Sequence, residues 1–225
     1  MKKTGYKNLK KETSKIPSIT ISLILLNISI FIYSFFIPEQ TLNSLIFKPE
    51  QLFQLNFKPM IVSWFLHANI IHLIGNMSFL FIFGKIIEKN LGALKMLLIY
   101  FGSAIISDIF ASLIASQGGI GASGAIAGLI SASILLNPFY ITRLFLIIPI
   151  PIMLIGWLSI YLDIKGILYP TNDNIGHFAH LGGYLAITIL LFLLNKQEKR
   201  KMKTGLIINI ISLIIFTLLY FKVFS

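Results

Sequence analysis

The chain has 225 residues, enough for one or two soluble domains, but its composition argues against a soluble protein. Apolar residues make up 56% of the sequence and charged residues 12%, about half the roughly 25% of an ordinary globular protein. The mean hydropathy of +0.85 excludes a disordered or fibrous chain and predicts extensive contact with lipid. Because cysteine is absent, disulfides, thiol nucleophiles and cysteine-ligated metals are excluded.

Seven hydrophobic segments are long enough to predict membrane spans, and together they predict an all-α, polytopic membrane helix bundle. In chain order they are Ser18 to Ile37, about His72 to Ile87, Ala93 to Ala115, Gly121 to Leu136, Leu144 to Leu162, His177 to Leu194 and Leu206 to Phe221. Two longer connections follow the first and fifth spans. The first, Pro38 to Trp64, carries three prolines and predicts a structured, partly membrane-dipping loop.

The basic residues lie mostly on one side of this arrangement. Of the 19 Lys and Arg, all but Lys48, Lys58, Lys165 and Lys222 fall in the N-terminal tail or in connections on the same side. Because cytoplasmic loops are rich in Lys and Arg, we expect a cytoplasmic N-terminus and an outer C-terminus in a cell membrane. The net charge of +11 is then a topology signal with some attraction to anionic lipid, and no nucleic acid partner is expected.

The four histidines form two short clusters, His67 with His72 and His177 with His180. Each cluster lies where a predicted span begins, and the predicted topology puts both beginnings on the outer side. A single histidine there would often be an interfacial anchor. Four histidines confined to two span starts at one depth instead favour a functional site, because ionisable groups in a membrane are costly.

A serine begins the fourth span at the same predicted depth, within Gly121-Ala122-Ser123-Gly124. Glycines on both sides make the Ser123 hydroxyl accessible. Small residues recur in the fourth span and in the sixth, which predicts that the two helices nearly touch. These residues are Gly124, Gly128 and Ala132, facing Ala179, Gly183 and Ala186. Such packing would bring Ser123 to His177, as a serine nucleophile and its general base require.

Hydrogen-bond donors for an oxyanion are also predicted. His72 and Asn76 are four residues apart, hence on one helix face, and with the backbone N–H of Ser123 they would supply three donors. Alternatively, the Asn76 side chain could form a hydrogen bond to a neighbouring helix.

No acidic partner for His177 is evident in the sequence. Asp163 and Asp173 are assigned to the outer loop from Asp163 to Gly176, and Asp108 lies at an undefined depth in the third span. The residues therefore predict a Ser–His dyad rather than a triad.

The ordered set of motifs resembles the rhomboid family of intramembrane serine proteases from about Trp64 to Gly183. The motifs are His67-x4-His72-x3-Asn76, Gly84-x3-Glu88-x3-Gly92, Gly121-x-Ser123-Gly124, Pro149-Ile-Pro151 in the fifth span, and His177-x2-His180-Leu181-Gly182-Gly183. Any one of these motifs alone would be weak evidence, whereas the ordered set is specific.

The resemblance implies a protease and assigns roles to residues. Ser123 matches the nucleophile, His177 the general base, and His72 and Asn76 the oxyanion-stabilising residues. Supporting positions are Gly121, Gly124, His67 and His180. The implied organisation is a cytoplasmic tail (1–17), a six-span core (18–195), a basic linker (196–205) and an appended seventh helix (206–225). Substrates would be single-span membrane proteins cut near the outer face, with no cofactor and no metal.

Two positions depart from the family pattern. Lys58-Pro59 stand where many members have Trp-Arg in the first outer loop, so a different anchoring of that loop is expected. Ala127, four residues after Ser123, replaces an aromatic residue that often stacks on the catalytic histidine. His177 must then be held by something else.

Two other functions are compatible with parts of the pattern. The pairs His67/His72 and His177/His180 would permit a metal or haem protein, although no H-E-x-x-H motif is present and no acidic ligand adjoins the histidines. A non-proteolytic membrane chaperone or adaptor on the same fold would keep its function when Ser123 is replaced by alanine.

Overall fold

The computed structural model describes residues 16–144, 148–170 and 175–224. Most of the predicted basic tail, Asp173 and Ser225 lie outside the described residues. The helices are α1 (Ser18–Ser34), α2 (Glu39–Ser44), α3 (Pro49–Phe53), α4 (Phe57–Ser63), α5 (Ile70–Phe79), α6 (Lys85–Leu91), α7 (Ala93–Ala115), α8 (Ser123–Leu136), α9 (Ile152–Leu168), α10 (His177–Ile189) and α11 (Lys196–Phe224). A π-helical turn (Leu80–Gly84) joins α5 to α6, and a 3-10 turn (Leu190–Leu193) follows α10.

The molecule is a predominantly helical, multi-pass membrane protein, as its composition predicts. By length and apolar composition, three of the described helical segments suffice to cross a membrane: 70–91, 93–115 and 196–219. Shorter apolar helices cover 18–34, 123–136 and 177–193. The third predicted span matches α7 at both ends. The predicted number of spans, six plus one, stays a prediction.

The predicted fifth span begins later than expected. Residues Ile141–Leu144 (β1) and Ile148–Pro151 (β2) form an antiparallel hairpin, with Ile141 opposite Pro151. The prediction that placed Pro149-Ile-Pro151 inside a helix is therefore wrong, and α9 starts directly after Pro151. Proline in a helix interior lacks the N–H donor and clashes with the preceding turn, whereas it is tolerated at a strand edge or just before a helix.

The C-terminal helix begins ten residues before the predicted seventh span, so residues 196–205 are helical. Near its start Lys95 of α7 forms an ion pair with Glu198 at 2.6 Å. Farther along, Trp157 Nε1 donates to Asn209 Oδ1 at 2.8 Å, and Asn209 Nδ2 donates to the Ile134 carbonyl at 2.8 Å. Polar contacts to α7, α8 and α9 thus attach α11 to the rest of the bundle.

Helix α8 lies at the centre of the bundle and packs closely against α7 and α10. A Cβ added to Gly183 of α10 would overlap the carbonyl oxygen of Gly124 and lie 2.8 Å from the Ala127 Cβ. A Cβ at Gly124 or Gly128 would overlap the serine side chains of α7. The predicted close approach of α8 and α10 through small residues is confirmed. The glycines of α8 also allow α7 to pack closely against that helix.

Glu88 of α6 ties that helix to the beginning of α1. Its carboxylate accepts hydrogen bonds from the backbone N–H groups of Ile19 (3.0 Å) and Thr20 (2.8 Å) and from the Thr20 hydroxyl (2.7 Å). A helix start has unpaired N–H groups and favours negative charge. The Gly84-x3-Glu88 pattern therefore has a structural role, since Gly84 also lies against Thr20.

Replacing Glu88 with glutamine is expected to lower the free energy of unfolding by about 1–3 kcal/mol, because the charged acceptor of three hydrogen bonds is lost. The measurement is thermal unfolding in detergent. Glu39→Gln, at an exposed position in the first turn of α2, is the matched control and should change the midpoint little. Equal shifts for the two variants would contradict the capping role of Glu88.

The long connection after α1 is structured, as predicted, and its contacts lead to the start of α8. The Gly119 N–H donates to the Phe47 carbonyl at 3.0 Å, and the Gly121 N–H donates to the Ser63 carbonyl at 2.8 Å. Trp64 Nε1 donates to Asp108 of α7 at 2.7 Å. These contacts anchor a loop in which Lys58-Pro59 stand where a Trp-Arg pair was expected, and they position the segment just before Ser123.

Candidate active site

The N-terminal ends of α5, α8 and α10 surround one cavity of about 1100 Å³. Its wall includes Ser123, His177, His180, His72 and Asn76. A smaller cleft of about 320 Å³ between α5 and α9 shares these residues and adds Asp163 and Tyr184. The predicted site residues of three separate sequence motifs therefore meet in one place.

Ser123 is the first residue of α8 and is half-buried at the cavity wall. Its neighbour Gly121 has φ +116°, and the ring of His72 lies against it. A Cβ at Gly121 would lie 2.8 Å from His72 Cε1 and 2.9 Å from Nε2. Glycine is therefore required at position 121 both for the backbone conformation and for the approach of the His72 ring.

His177 is held by α9. Its Nδ1 lies 2.8 Å from Asp163 Oδ1, and its ring lies against Gly166, where a Cβ would overlap it. An ionised carboxylate only accepts hydrogen bonds, so Nδ1 carries the proton, and Nε2 is the nitrogen able to act as a base. Ser123 and His177 share the cavity without a hydrogen bond between their side chains among the described residues.

The prediction that Asp163 lies in the loop after the fifth span is wrong. Helix α9 continues to Leu168, so Asp163 is helical and buried, with 6% of its surface exposed. No proline occurs between Pro151 and Pro170, which is a signal in the sequence for the longer helix. The contacts of His177 with Asp163 and Gly166 confirm that something other than an aromatic residue at position 127 holds this ring.

Two more side chains converge on the same carboxylate. His180 Nδ1 lies 2.8 Å from Asp163 Oδ1, and the Tyr184 hydroxyl donates to Oδ2 at 2.8 Å. His177, His180 and Tyr184 share one face of α10, which turns toward α9. Tyr184 is a member of this cluster that was not predicted from the sequence. Three donors satisfy a carboxylate that would otherwise be costly to bury.

The predicted oxyanion residues, His72 and Asn76, line the cavity from α5. The Ala68 N–H approaches His72 Nδ1 at 3.4 Å, which puts the ring proton on Nε2. Asn76 Nδ2 donates to the His72 carbonyl of its own helix at 2.9 Å. Its Oδ1 is buried without a partner among the described residues. These contacts give no support to the alternative in which Asn76 bridges two helices.

His67 precedes α5 and packs behind His72, with ring centroids 5.0 Å apart. Its Nδ1 lies 3.3 Å from the Phe65 carbonyl oxygen. Burial, and to a smaller extent the nearby His72, lowers the pKa of His67 to about 4. His67 is therefore neutral at pH 7, and its position against His72 is that of a supporting residue.

If His177 acts as a base in this cavity, replacing Gly166 with alanine should reduce the rate about 100-fold or more, since the added Cβ would overlap His177 Nε2 and small misplacements of a reacting group are costly. Melting temperature in detergent should change much less than activity. Gly119→Ala, where a Cβ meets nothing within 4 Å, is the control. Full activity of a folded Gly166→Ala protein would show that this ring position is unimportant.

The apolar helices make this chain a multi-pass membrane protein, and the cavity at the N-terminal ends of three helices gives it an internal polar site. Residues 53–197 match the Rhomboid domain, which is more than half of the chain. The chain belongs to the rhomboid family, which confirms the resemblance in the sequence.

Curated relatives agree with this assignment. The chain is 30% identical to RHOMBOID-like protein 12, mitochondrial, of Arabidopsis thaliana over 187 residues, covering 73% of this chain and 55% of the relative. It is 27% identical to Rhomboid-like protein 11, chloroplastic, of the same plant, covering 80% and 66%. Rhomboid-like protease 3 of Toxoplasma gondii is 29% identical, covering 59% and 50%. The chain thus spans about half to two thirds of the length of these relatives.

Proposed function

We propose that the protein is an intramembrane serine endopeptidase that cleaves single-span membrane proteins near the outer membrane face. The observation that carries the proposal is the meeting of Ser123, His177, His72 and Asn76 at one cavity in a chain of the rhomboid family. Among the relatives described above, Rhomboid-like protease 3 of Toxoplasma gondii is itself named a protease.

In the proposed reaction His177 Nε2 takes the proton of Ser123 as Oγ attacks the scissile carbonyl. His72 Nε2–H, the Asn76 amide and the Ser123 backbone N–H would donate to the oxyanion. The protonated histidine then gives its proton to the leaving amine, and water hydrolyses the acyl-enzyme. For the first step Ser123 Oγ and His177 Nε2, whose residues line the same cavity, must come within hydrogen-bond distance of each other.

The proposed topology has the N-terminus in the cytoplasm and the cavity open to the outer side, in a protein whose core is residues 18–195. The asymmetry of Lys and Arg supports it. A polar cavity gives water a route to Ser123. A substrate helix hides its carbonyls in internal hydrogen bonds, so local unwinding must precede attack, and helix-breaking residues near the cleavage point would favour it.

The test is cleavage of a single-span reporter by purified protein in detergent, together with labelling by a fluorophosphonate probe. We expect cleavage, and a probe adduct that peptide mapping assigns to Ser123. His177→Ala should lose both, because the serine is no longer activated. If folded wild-type protein shows neither cleavage nor labelling, the protease proposal fails, and a chaperone or adaptor function takes its place.

Asp163→Asn should lower kcat by about 10- to 100-fold, because an amide can hold His177 in the wrong tautomer, a change that costs about 10⁴-fold in a soluble serine protease. The ring contact with Gly166 remains, so the loss should be smaller here. The readout is kcat of reporter cleavage across pH. If Asp163 had only a structural role, Asp163→Asn would lower the melting temperature and leave the shape of the pH profile of kcat unchanged. Tyr184→Phe, which removes only the contact to Oδ2, is the control and should have a smaller effect.

A further inference from the structure

Asp163, His177 and His180 form a compact cluster between α9 and α10. One ligand atom from each residue lies within 4.8 Å of the other two. We propose that this cluster binds a divalent transition metal ion such as Zn²⁺, and that the bound ion inhibits the enzyme by occupying His177. The inhibitory half rests on the proposed protease function, whereas the binding half does not.

The donor set suits zinc. Two imidazoles and one carboxylate are typical zinc ligands, and three protein ligands leave a fourth position for water. The negative charge of Asp163 is also available to a cation, since no Lys or Arg side chain pairs with this carboxylate in the described part of the chain. No acidic ligand adjoins the histidines in the sequence. The structure corrects that point, because Asp163 contacts both of them.

The geometry needs only a small adjustment to admit the ion. Both Nδ1 atoms lie 2.8 Å from the same carboxylate oxygen, a hydrogen-bond distance. Ligands about 2.0 Å from a tetrahedral zinc ion are roughly 3.3 Å apart, so each Nδ1 must move about 0.5 Å away from that oxygen. The Tyr184 hydroxyl can stay on Oδ2 and orient the carboxylate as an outer hydrogen-bond partner.

The ion can reach the cluster from the cavity. His177 and His180 both line the large cavity, and all three residues line the smaller cleft. Their side chains are 13%, 18% and 9% exposed for His177, His180 and Asp163. The three side chains are therefore mostly buried, but ions dissolved in the water of the cavity can still reach them.

Metal binding would remove the general base. In the metal-free protein Nδ1 of His177 donates to Asp163, and Nε2 can accept the proton of Ser123. A metal at Nδ1 needs the lone pair there, so the ring proton moves to Nε2. Nε2 then has no lone pair to accept a proton, and Ser123 is not activated. The ion does not change oxidation state, and chelation restores the original tautomer.

The other histidine pair offers an internal comparison. His67 and His72 also lie side by side, but no carboxylate of the described residues joins them, and Nδ1 of each already contacts backbone. We therefore expect the metal at the His177 pair, and His67→Gln serves as the matched control for His180→Gln.

The binding test uses Ser123→Ala protein in detergent, which keeps every proposed ligand and needs no activity. Co²⁺ titration should give visible d–d absorption bands that Zn²⁺ abolishes by displacement. His180→Gln in this background should weaken binding more than about tenfold, because even loss of an outer-shell partner costs 10- to 100-fold. His67→Gln should leave it unchanged. A folded protein without bands, or bands lost with His67→Gln instead, would overturn the site.

The inhibition test uses the enzyme with Ser123 intact. Zn²⁺ should inhibit reporter cleavage reversibly, with recovery on chelation. For His180→Gln, measured against its own metal-free rate, the half-inhibiting Zn²⁺ concentration should rise more than about tenfold. Cobalt binding without inhibition of an active enzyme would overturn the inhibitory half. If no cleavage occurs at all, the proposed protease function fails, and the cobalt titration still decides the site.

Discussion

Replacing Ser123 with alanine is expected to lower reporter cleavage by about 10⁵- to 10⁶-fold, to the background level, and to abolish fluorophosphonate labelling. Loss of the nucleophile in a soluble serine protease costs about 10⁶-fold, because no other group takes its place. Helix α8 should be unaffected, since Ser123 is its first residue and only half-buried. Melting temperature in detergent should therefore match that of the wild type.

Ser131→Ala is the matched control for this prediction. Ser131 is on the same helix, two turns deeper, and is buried outside the cavity wall. The same atom is removed, yet cleavage and labelling should persist. Substantial cleavage by Ser123→Ala would contradict the proposed mechanism. Loss of labelling in Ser131→Ala with Ser123 intact would indicate that the probe reports on folding rather than on the nucleophile.

The residues that meet at the cavity were largely predictable because each motif fixes a local feature. A histidine four residues before Asn76 lies on the same helix face, and glycines beside Ser123 indicate an exposed hydroxyl. Small residues at positions such as Gly183 indicate a close helix contact. These signals depend on helix periodicity and on side-chain size, which the sequence carries directly.

The contacts of Asp163 could not be predicted in the same way. They depend on which face of α9 turns toward α10, and the sequence of α9 has only a weak apolar–polar asymmetry from which to choose that face. Because the fifth span was predicted to end at Leu162, Asp163 was assigned to the loop and not to the helix that faces His177. Gly166 and Tyr184 became interpretable only after His177 was placed beside them. Tertiary pairing, rather than local preference, decides such positions.

The hairpin before α9 illustrates a second kind of error. The apolar run from Leu144 suits a buried strand as well as a helix, and apolarity alone does not separate the two. Pro149 and Pro151 carried the deciding signal, since two prolines at alternate positions disfavour a helix interior. The run therefore had to be divided into a strand and a helix.

Replacing Gly183 with alanine is expected to lower the free energy of unfolding by about 3 kcal/mol or more, at the upper end of the cost of overpacking. The added Cβ would overlap the Gly124 carbonyl oxygen and lie 2.8 Å from the Ala127 Cβ. The main obstacle is backbone rather than a flexible side chain, so α8 and α10 must move apart. A fall in melting temperature of roughly 5–10 °C should follow.

The same displacement should abolish cleavage, because Ser123 begins α8 and His177 begins α10. Separating the two helices moves the nucleophile away from the base even in molecules that stay folded, and a misplacement of about 1 Å can cost 100-fold in rate. Gly75→Ala is the matched stability control, since a Cβ there meets nothing within 4 Å. Alanine favours a helix by up to about 1 kcal/mol over glycine, so Gly75→Ala should not lower the melting temperature. If Gly183→Ala is as stable and as active as the wild type, the close contact of α8 and α10 does not hold the site together.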